Sequence, residues 1–185
     1  MKELSLNILD IAQNSVKAGA STIRILLTED AETLSIGIED DGCGMTADFL
    51  ASVTDPFTTT RTTRKVGLGI PLFKLAAEQT GGSLRIDSVH ESVSPDAHGT
   101  TVTAVFYKTH LDFTPLGDIV STLTTLIQGQ PEIRWIFLHT FGEEAVTLDT
   151  DELKAVLGDV PLNVPEVIAW IGDYLKEQYE AITSE

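Results

Sequence analysis

The chain has 185 residues, 42% of them hydrophobic, and a formal net charge of −16. That is room for one full domain and a small second unit, it is too apolar for the disordered class, and a surface this acidic argues against nucleic acid as a partner. Nothing approaches the ~18 uninterrupted apolar residues of a membrane span, the N-terminus lacks a secretory h-region, and the single Cys43 rules out an internal disulfide, so a cytoplasmic protein without a membrane partner is expected.

Leu4, Leu6, Ile8, Leu9, Ile11, Ala12 and Val16 recur at helical spacing, which predicts a largely buried helix over Lys2 to Lys17, ended by Ala18-Gly19-Ala20. STIRILLTED and ETLSIGIEDD alternate as two strands around an acidic turn. DDGCGM is a glycine-punctuated turn, and TADFLASV a short helix with Thr46 as its N-cap. The stretch DPFTTTRTTRKVGLGI follows, with Arg61, Arg64 and Lys65 close together, and PLFKLAAEQT is helical until Gly81-Gly82. GSLRIDSV and GTTVTAVFY are two more strands, joined by a polar loop. Paired strands separated by helices predict a mixed sheet covered by helices, an α/β sandwich rather than a doubly wound parallel sheet.

A boundary is expected near HLDFT, residues 110–114, because the composition shifts there. Residues 1–110 hold nine Lys/Arg against fourteen Asp/Glu; residues 111–185 hold three against fourteen. The second segment reads as helix PLGDIVSTLTTLI, strands IRWIFLHTF and AVTLDT, and helices DELKAVL and VPEVIAWIGDYLKEQYEAI, a small mixed α/β module whose Trp135 and Trp170 are expected in its core.

Three polar clusters carry chemistry. Asp10, Asn14 and Lys17 fall at i, i+4 and i+7, so one helix face presents a carboxylate, an amide and an ammonium. An amide oxygen can ligate a hard cation, a lysine can neutralise a phosphate, and a carboxylate can orient a nucleophile; a solvated helix face is the plainer alternative. Asp40-Asp41-Gly42-Cys43-Gly44-Met45 has the form D-x-G-x-G at a strand end, which suits a hydrogen-bonded flat ring as well as an ordinary turn. Gly67-Leu68-Gly69 opens a helix, where free backbone N–H groups favour an anion.

Taken in order, these clusters resemble the GHKL ATPase superfamily: gyrase, the heat-shock chaperone, histidine kinases and mismatch-repair ATPases. ILDIAQNSVKAGAS is similar to its N-box, EDDGCGM to the first glycine box, DPFTTT to the F-box, VGLGIPLFKLAAEQTGGSL to the second glycine box, and HGTTVTAVF to the closing strand. The resemblance covers about Met1 to Tyr107 and implies an ATP-binding domain over residues 1–110, a two-layer α/β (α+β) sandwich of the Bergerat type, with Mg²⁺ as the accompanying cation. It implies Asn14 as the Mg²⁺ ligand, Lys17 on the phosphates, and Asp40 reading adenine with Gly42, Gly44, Met45 and Thr100. It also implies Gly67, Leu68 and Gly69 at the phosphates, and Thr58, Thr59 and Arg61 within the ATP lid. The hydrolytic branches carry a glutamate where this chain has Asp10, one methylene shorter, so Asp10 is a candidate base and efficient hydrolysis is not implied.

His90-Glu91-Ser92-Val93-Ser94-Pro95 mimics a phosphoacceptor histidine box but falls in a loop between two strands. No dimerisation hairpin precedes it, so the resemblance points to a stand-alone kinase-like protein acting on a separate, unidentified protein. The alternatives are a non-catalytic ATP-gated switch and a slow ATPase. The C-terminal segment could form a homodimer, dock a partner or bind an effector.

Overall fold

A computed structural model describes residues 3–55 and 68–184. Helix α1 (Leu4–Lys17) forms where Leu4, Ile8, Ile11 and Ser15 recur every three to four residues, and all four are buried. It stops where Gly19 takes φ 75. Strands β1 (Thr22–Glu29) and β2 (Thr33–Asp40) pair antiparallel with Ile25 opposite Ile38 and Leu27 opposite Ile36. The period-2 pattern therefore sets the register: a one-residue slip would turn this whole apolar row to the other face. The Asp30 carboxylate accepts from the Glu32 and Thr33 N–H groups at 2.8 and 2.7 Å, which holds the acidic turn between the strands.

Helix α2 (Ala47–Ser52) is capped as its sequence predicts, with Thr46 Oγ1 accepting from the Phe49 N–H at 3.3 Å. Helix α3 (Gly69–Gln79) ends before Gly81 at φ 83, and strands β3 (Ser83–Val89) and β4 (Gly99–Tyr107) return antiparallel. His90 to Pro95 lies in the connection between β3 and β4, as the sequence predicts.

The rest of the chain continues the same sheet. Strand β5 (Arg134–Phe141) runs parallel to β1, with Trp135 beside Ile23 and Phe137 beside Ile25, and β6 (Glu144–Asp149) closes the edge antiparallel to it. The order is β3-β4-β2-β1-β5-β6. The crossover into β5 runs through α4 (Ile119–Gly129), and α5 (Thr150–Leu157) and α6 (Pro165–Thr183) follow β6. Helices α3, α1, α4 and α6 pack in that succession, and α3, α1 and α6 each also touch the sheet. The result is a two-layer α/β sandwich whose core includes Ile8, Ile11, Ile36, Phe73, Phe106, Phe137 and Ile171. No helix among the described residues is long and apolar enough to cross a membrane.

Two expectations are corrected. Helix α4 starts at Ile119 rather than Pro115, because Asp118 caps it, accepting from the Ser121 N–H at 2.9 Å. Pro115 and Leu116 instead lend their carbonyls to α1, accepting from the Leu4 and Ser5 N–H groups at 2.9 and 2.8 Å. These are two of the donors a helix start leaves without partners, so the connection to the C-terminal segment caps the N-terminal helix. Trp135 is a core residue at 1% exposure, but Trp170 is 51% exposed on α6, outside the core.

A buried polar chain ties α6 to the far end of the sheet. His139, on the inner face of β5 and 1% exposed, lies 3.2 Å from Glu29 Oε2 through Nε2 and 2.8 Å from Tyr179 Oη through Nδ1. A carboxylate only accepts, so Nε2–H donates to Glu29 and Nδ1 accepts from the phenol. Lys108 Nζ donates to Glu29 Oε1 at 2.6 Å. Burial holds the imidazole below its ordinary pKa against the pull of Glu29, and burial followed by the Glu29 charge pushes the Tyr179 phenol well up.

Candidate functional site

The polar face of α1 and the start of α3 enclose a cavity of about 290 Å³ lined by Asp10, Gln13, Asn14, Lys17, Leu68, Gly69 and Leu72. Five of these residues carry site expectations from the sequence, and helical spacing alone explains why the α1 members share one wall. The opposite wall comes close because Gly69 has no side chain: a Cβ there would stand 3.1 Å from Asp10 Cβ. The α3 N-terminus, with Leu68 supplying no side-chain cap, therefore opens toward the Asp10 carboxylate.

A second group gathers at the end of β2. Asp40 Oδ2 accepts from Ser15 Oγ at 2.6 Å and Oδ1 from the Gly42 N–H at 2.9 Å. Asp40 faces Thr100 across the β2–β4 ladder, and Ser88 Oγ lies 2.8 Å from Thr100 Oγ1 while accepting from the Met45 N–H at 2.8 Å. The glycines are needed for close approach. A Cβ on Gly42 would meet Ala18 Cβ at 2.8 Å, and one on Gly44, which has φ 72, would meet the Val89 carbonyl oxygen at 1.9 Å. The turn is thus wedged between the end of α1 and the end of β3, and Cys43 N–H donating to the Ala18 carbonyl at 2.9 Å fastens it.

The neighbouring Asp41 serves the fold. Burial pushes its carboxyl up, but bonds from the Ser21 hydroxyl and the Thr22 and Ser21 N–H groups outweigh that and hold it below the usual carboxylate range. His98 adds a further tie, its Nδ1 bonded to the Gly42 carbonyl.

The structure therefore brings Asp10, Asn14, Lys17, Leu68 and Gly69 into one cavity, and groups Asp40, Gly42, Gly44 and Met45 at the end of β2 with Thr100 opposite on β4; the Ser15–Asp40 bond ties that group to α1. Thr58, Thr59, Arg61 and Gly67 lie outside the described residues. Sequence reasoning missed Gln13, Leu72, Ser15, Ser88 and His98. Ser15 had a signal: it continues the buried 4-8-11-15 stripe of α1, and a serine at a core position needs a partner. Gln13 and Leu72 share helix faces with expected site residues, whereas Ser88 reaches the site through strand pairing and His98 through its bond to the Gly42 carbonyl.

Chemically, the cavity offers three oxygen-bearing side chains, Asp10, Gln13 and Asn14, together with a cation and a helix start. Mg²⁺ keeps waters and ligand phosphates for most of its octahedron and needs only one or two protein oxygens, so the amide of Asn14 with Asp10 nearby fits it. Among the described residues no group of three or more His, Cys, Asp or Glu could hold a metal ion without such a ligand.

Residues 2–110 match the model of the histidine kinase-, DNA gyrase B- and HSP90-like ATPase family. No curated protein sequence matches the chain. Among solved structures, the ATPase domain of Aquifex aeolicus MutL complexed with ADP superposes with a TM-score of 0.54 at 11% identity, covering 85% of this chain and 69% of that one. The N-terminal domain of a DNA repair protein does so at 0.53 and 17%, covering 80% and 53%, so this chain spans about half of that domain. The mycobacterial sensor histidine kinase MprB is 22% identical, with a TM-score of 0.40 over 55% of this chain and 69% of its own.

Proposed function

Because the chain belongs to the histidine kinase-, DNA gyrase B- and HSP90-like ATPase family, we propose that it binds ATP with Mg²⁺ and uses the nucleotide to phosphorylate or regulate a separate protein. The observation that carries this reading is the single cavity in which Asp10, Asn14 and Lys17 face Leu68 and Gly69. Asp40, oriented by Ser15 and the Gly42 N–H, accepts from the adenine amine, and Gly42 and Gly44 let the turn beside it pack closely on Ala18 and Val89. Thr100 and Met45 line the same end. Asn14 holds the cation, Lys17 and the α3 start take the phosphates, and Mg²⁺ supplies charge neutralisation there. Thr58, Thr59, Arg61 and Gly67 are assigned to the lid and phosphate contacts on sequence alone.

In the transfer step an acceptor oxygen or nitrogen of the partner protein attacks the γ-phosphorus. The bond from that phosphorus to the β–γ bridging oxygen breaks, and its electron pair leaves with ADP. The acceptor's proton passes to the Asp10 carboxylate, which lies against Gly69 at the phosphate end of the cavity. A second reading, an ATP-gated switch, is favoured by one observation: Pro115 and Leu116 cap α1, so the helix that carries the phosphate-end residues is physically tied to the acidic C-terminal segment. A slow ATPase with Asp10 as base to water is the third.

Incubation with γ-labelled ATP and candidate partners separates the three. Label on a partner supports transfer. Phosphate release without a partner, lost in Asp10→Ala, supports hydrolysis. Nucleotide binding with neither product supports the switch. No binding of ATP with Mg²⁺, together with Asp40→Asn behaving as wild type, would sink all three.

A further inference from the structure

We propose that the outer face of α6 docks a basic, arginine-bearing helical segment of a partner protein, with Trp170 as its aromatic anchor. The inner face of α6 is complete without that residue: Val167, Ile171, Gly172 and Leu175 are buried where the helix packs on α4 and β6. Trp170 points away from this stripe at 51% exposure, and its indole lies on the Tyr174 ring, with centroids 5.2 Å apart and planes 9° apart. Tyr174 is half-buried against the core and so fixes the position of the indole, and a large exposed ring held in this way and unused by the core marks an interaction surface.

The spacing around it defines the partner. Glu166, Trp170, Asp173 and Glu177 follow one another at four, three and four residues, so they form one continuous seam of the helix, and all four are exposed. Among the described residues no ion pair reaches these three carboxylates. Of the segment's three cations, Arg134 pairs with Asp149 and Lys154 with Asp151, and the charge of Lys176 helps hold the Asp118 carboxyl low. A second copy of this chain would set carboxylates against carboxylates along the seam, and nucleic acid would bring phosphates to it, so both are repelled. A guanidinium satisfies both halves of the surface, stacking on the indole while its N–H fork reaches a carboxylate, which lysine does less well.

The inference stands independently of nucleotide chemistry, since α6 lies two helices from the ATP cavity in the succession α6, α4, α1. Its test uses the full chain and a synthetic helical peptide carrying arginines at four-three spacing, with binding read by fluorescence anisotropy. We expect one-to-one binding that weakens by about tenfold or more, roughly 1.4 kcal/mol, in Trp170→Ala and in Asp173→Lys/Glu177→Lys, and that is weaker for the lysine version of the peptide. Both variants alter exposed residues, and circular dichroism confirms their fold. Unchanged binding in either variant, absence of binding, or wild-type self-association abolished by Trp170→Ala would overturn the proposal. ATP binding measured on the same samples keeps this outcome separate from the functional reading above.

Discussion

Replacing Ser15 by alanine probes the joint between the two halves of the site. Ser15 Oγ donates to Asp40 Oδ2 over 2.6 Å from a position only 4% exposed, so water cannot replace the hydroxyl without opening the α1–sheet packing. A hydrogen bond to a charged acceptor contributes about 1.5–3 kcal/mol, and the carboxylate keeps its second bond from the Gly42 N–H, so a stability loss of about 1.5–2 kcal/mol is expected. The freed carboxylate can also rotate away from the direction in which, on the proposed reading, it accepts the adenine amine. Nucleotide affinity should therefore fall about 5–20-fold, roughly 1–1.8 kcal/mol. Calorimetric titration with a non-hydrolysable ATP analogue measures this, and a double-mutant cycle with Asp40→Asn should show coupling of about 1 kcal/mol or more. Full wild-type affinity in Ser15→Ala, with additive effects in the cycle, would refute the idea that Ser15 orients Asp40.

Gly44→Ala should be severe, because a Cβ would lie 1.9 Å from the Val89 carbonyl oxygen in a left-handed residue; a loss of about 2–4 kcal/mol in urea unfolding and loss of nucleotide binding are expected, and a mild phenotype would contradict the wedge geometry. Gly69→Ala should separate affinity from stability: crowding Asp10 weakens nucleotide binding several-fold, while gained helix propensity of up to about 1 kcal/mol keeps the melting temperature at or above wild type. His139 sets a pH dependence. Its folded pKa is held below the ordinary 6.5, so the unfolded chain takes up the proton first, and the stability it contributes is full above pH 6.5 and is lost as pH falls through the folded value. Urea midpoints between pH 8 and mildly acidic pH should drop for the wild type and flatten in His139→Gln; parallel slopes would assign the pH dependence to other groups.

Much of the candidate site was legible in the sequence because several of its parts are local. Asp10, Asn14 and Lys17 share a face through helical spacing alone, which survives any tertiary arrangement, and D-x-G-x-G marks a strand-end turn, although only the fold shows Gly42 and Gly44 pressed against Ala18 and Val89. The strands and their buried faces likewise followed from period-2 alternation, with ends shifting by a residue or so. What the sequence could not determine was what lies opposite what. Only the assembled fold pairs Ser15 with Asp40, places Ser88 beneath Thr100, and seats β5 beside β1 so that residues 111–185 extend the first sheet. Those contacts join positions 12 to more than 100 residues apart, and no local periodicity encodes such a distance. The same limit explains Trp170, whose helical spacing is compatible with a core or a surface until α6 has a side to pack on. Local pattern decides which face a residue occupies; the packing of elements decides what that face meets.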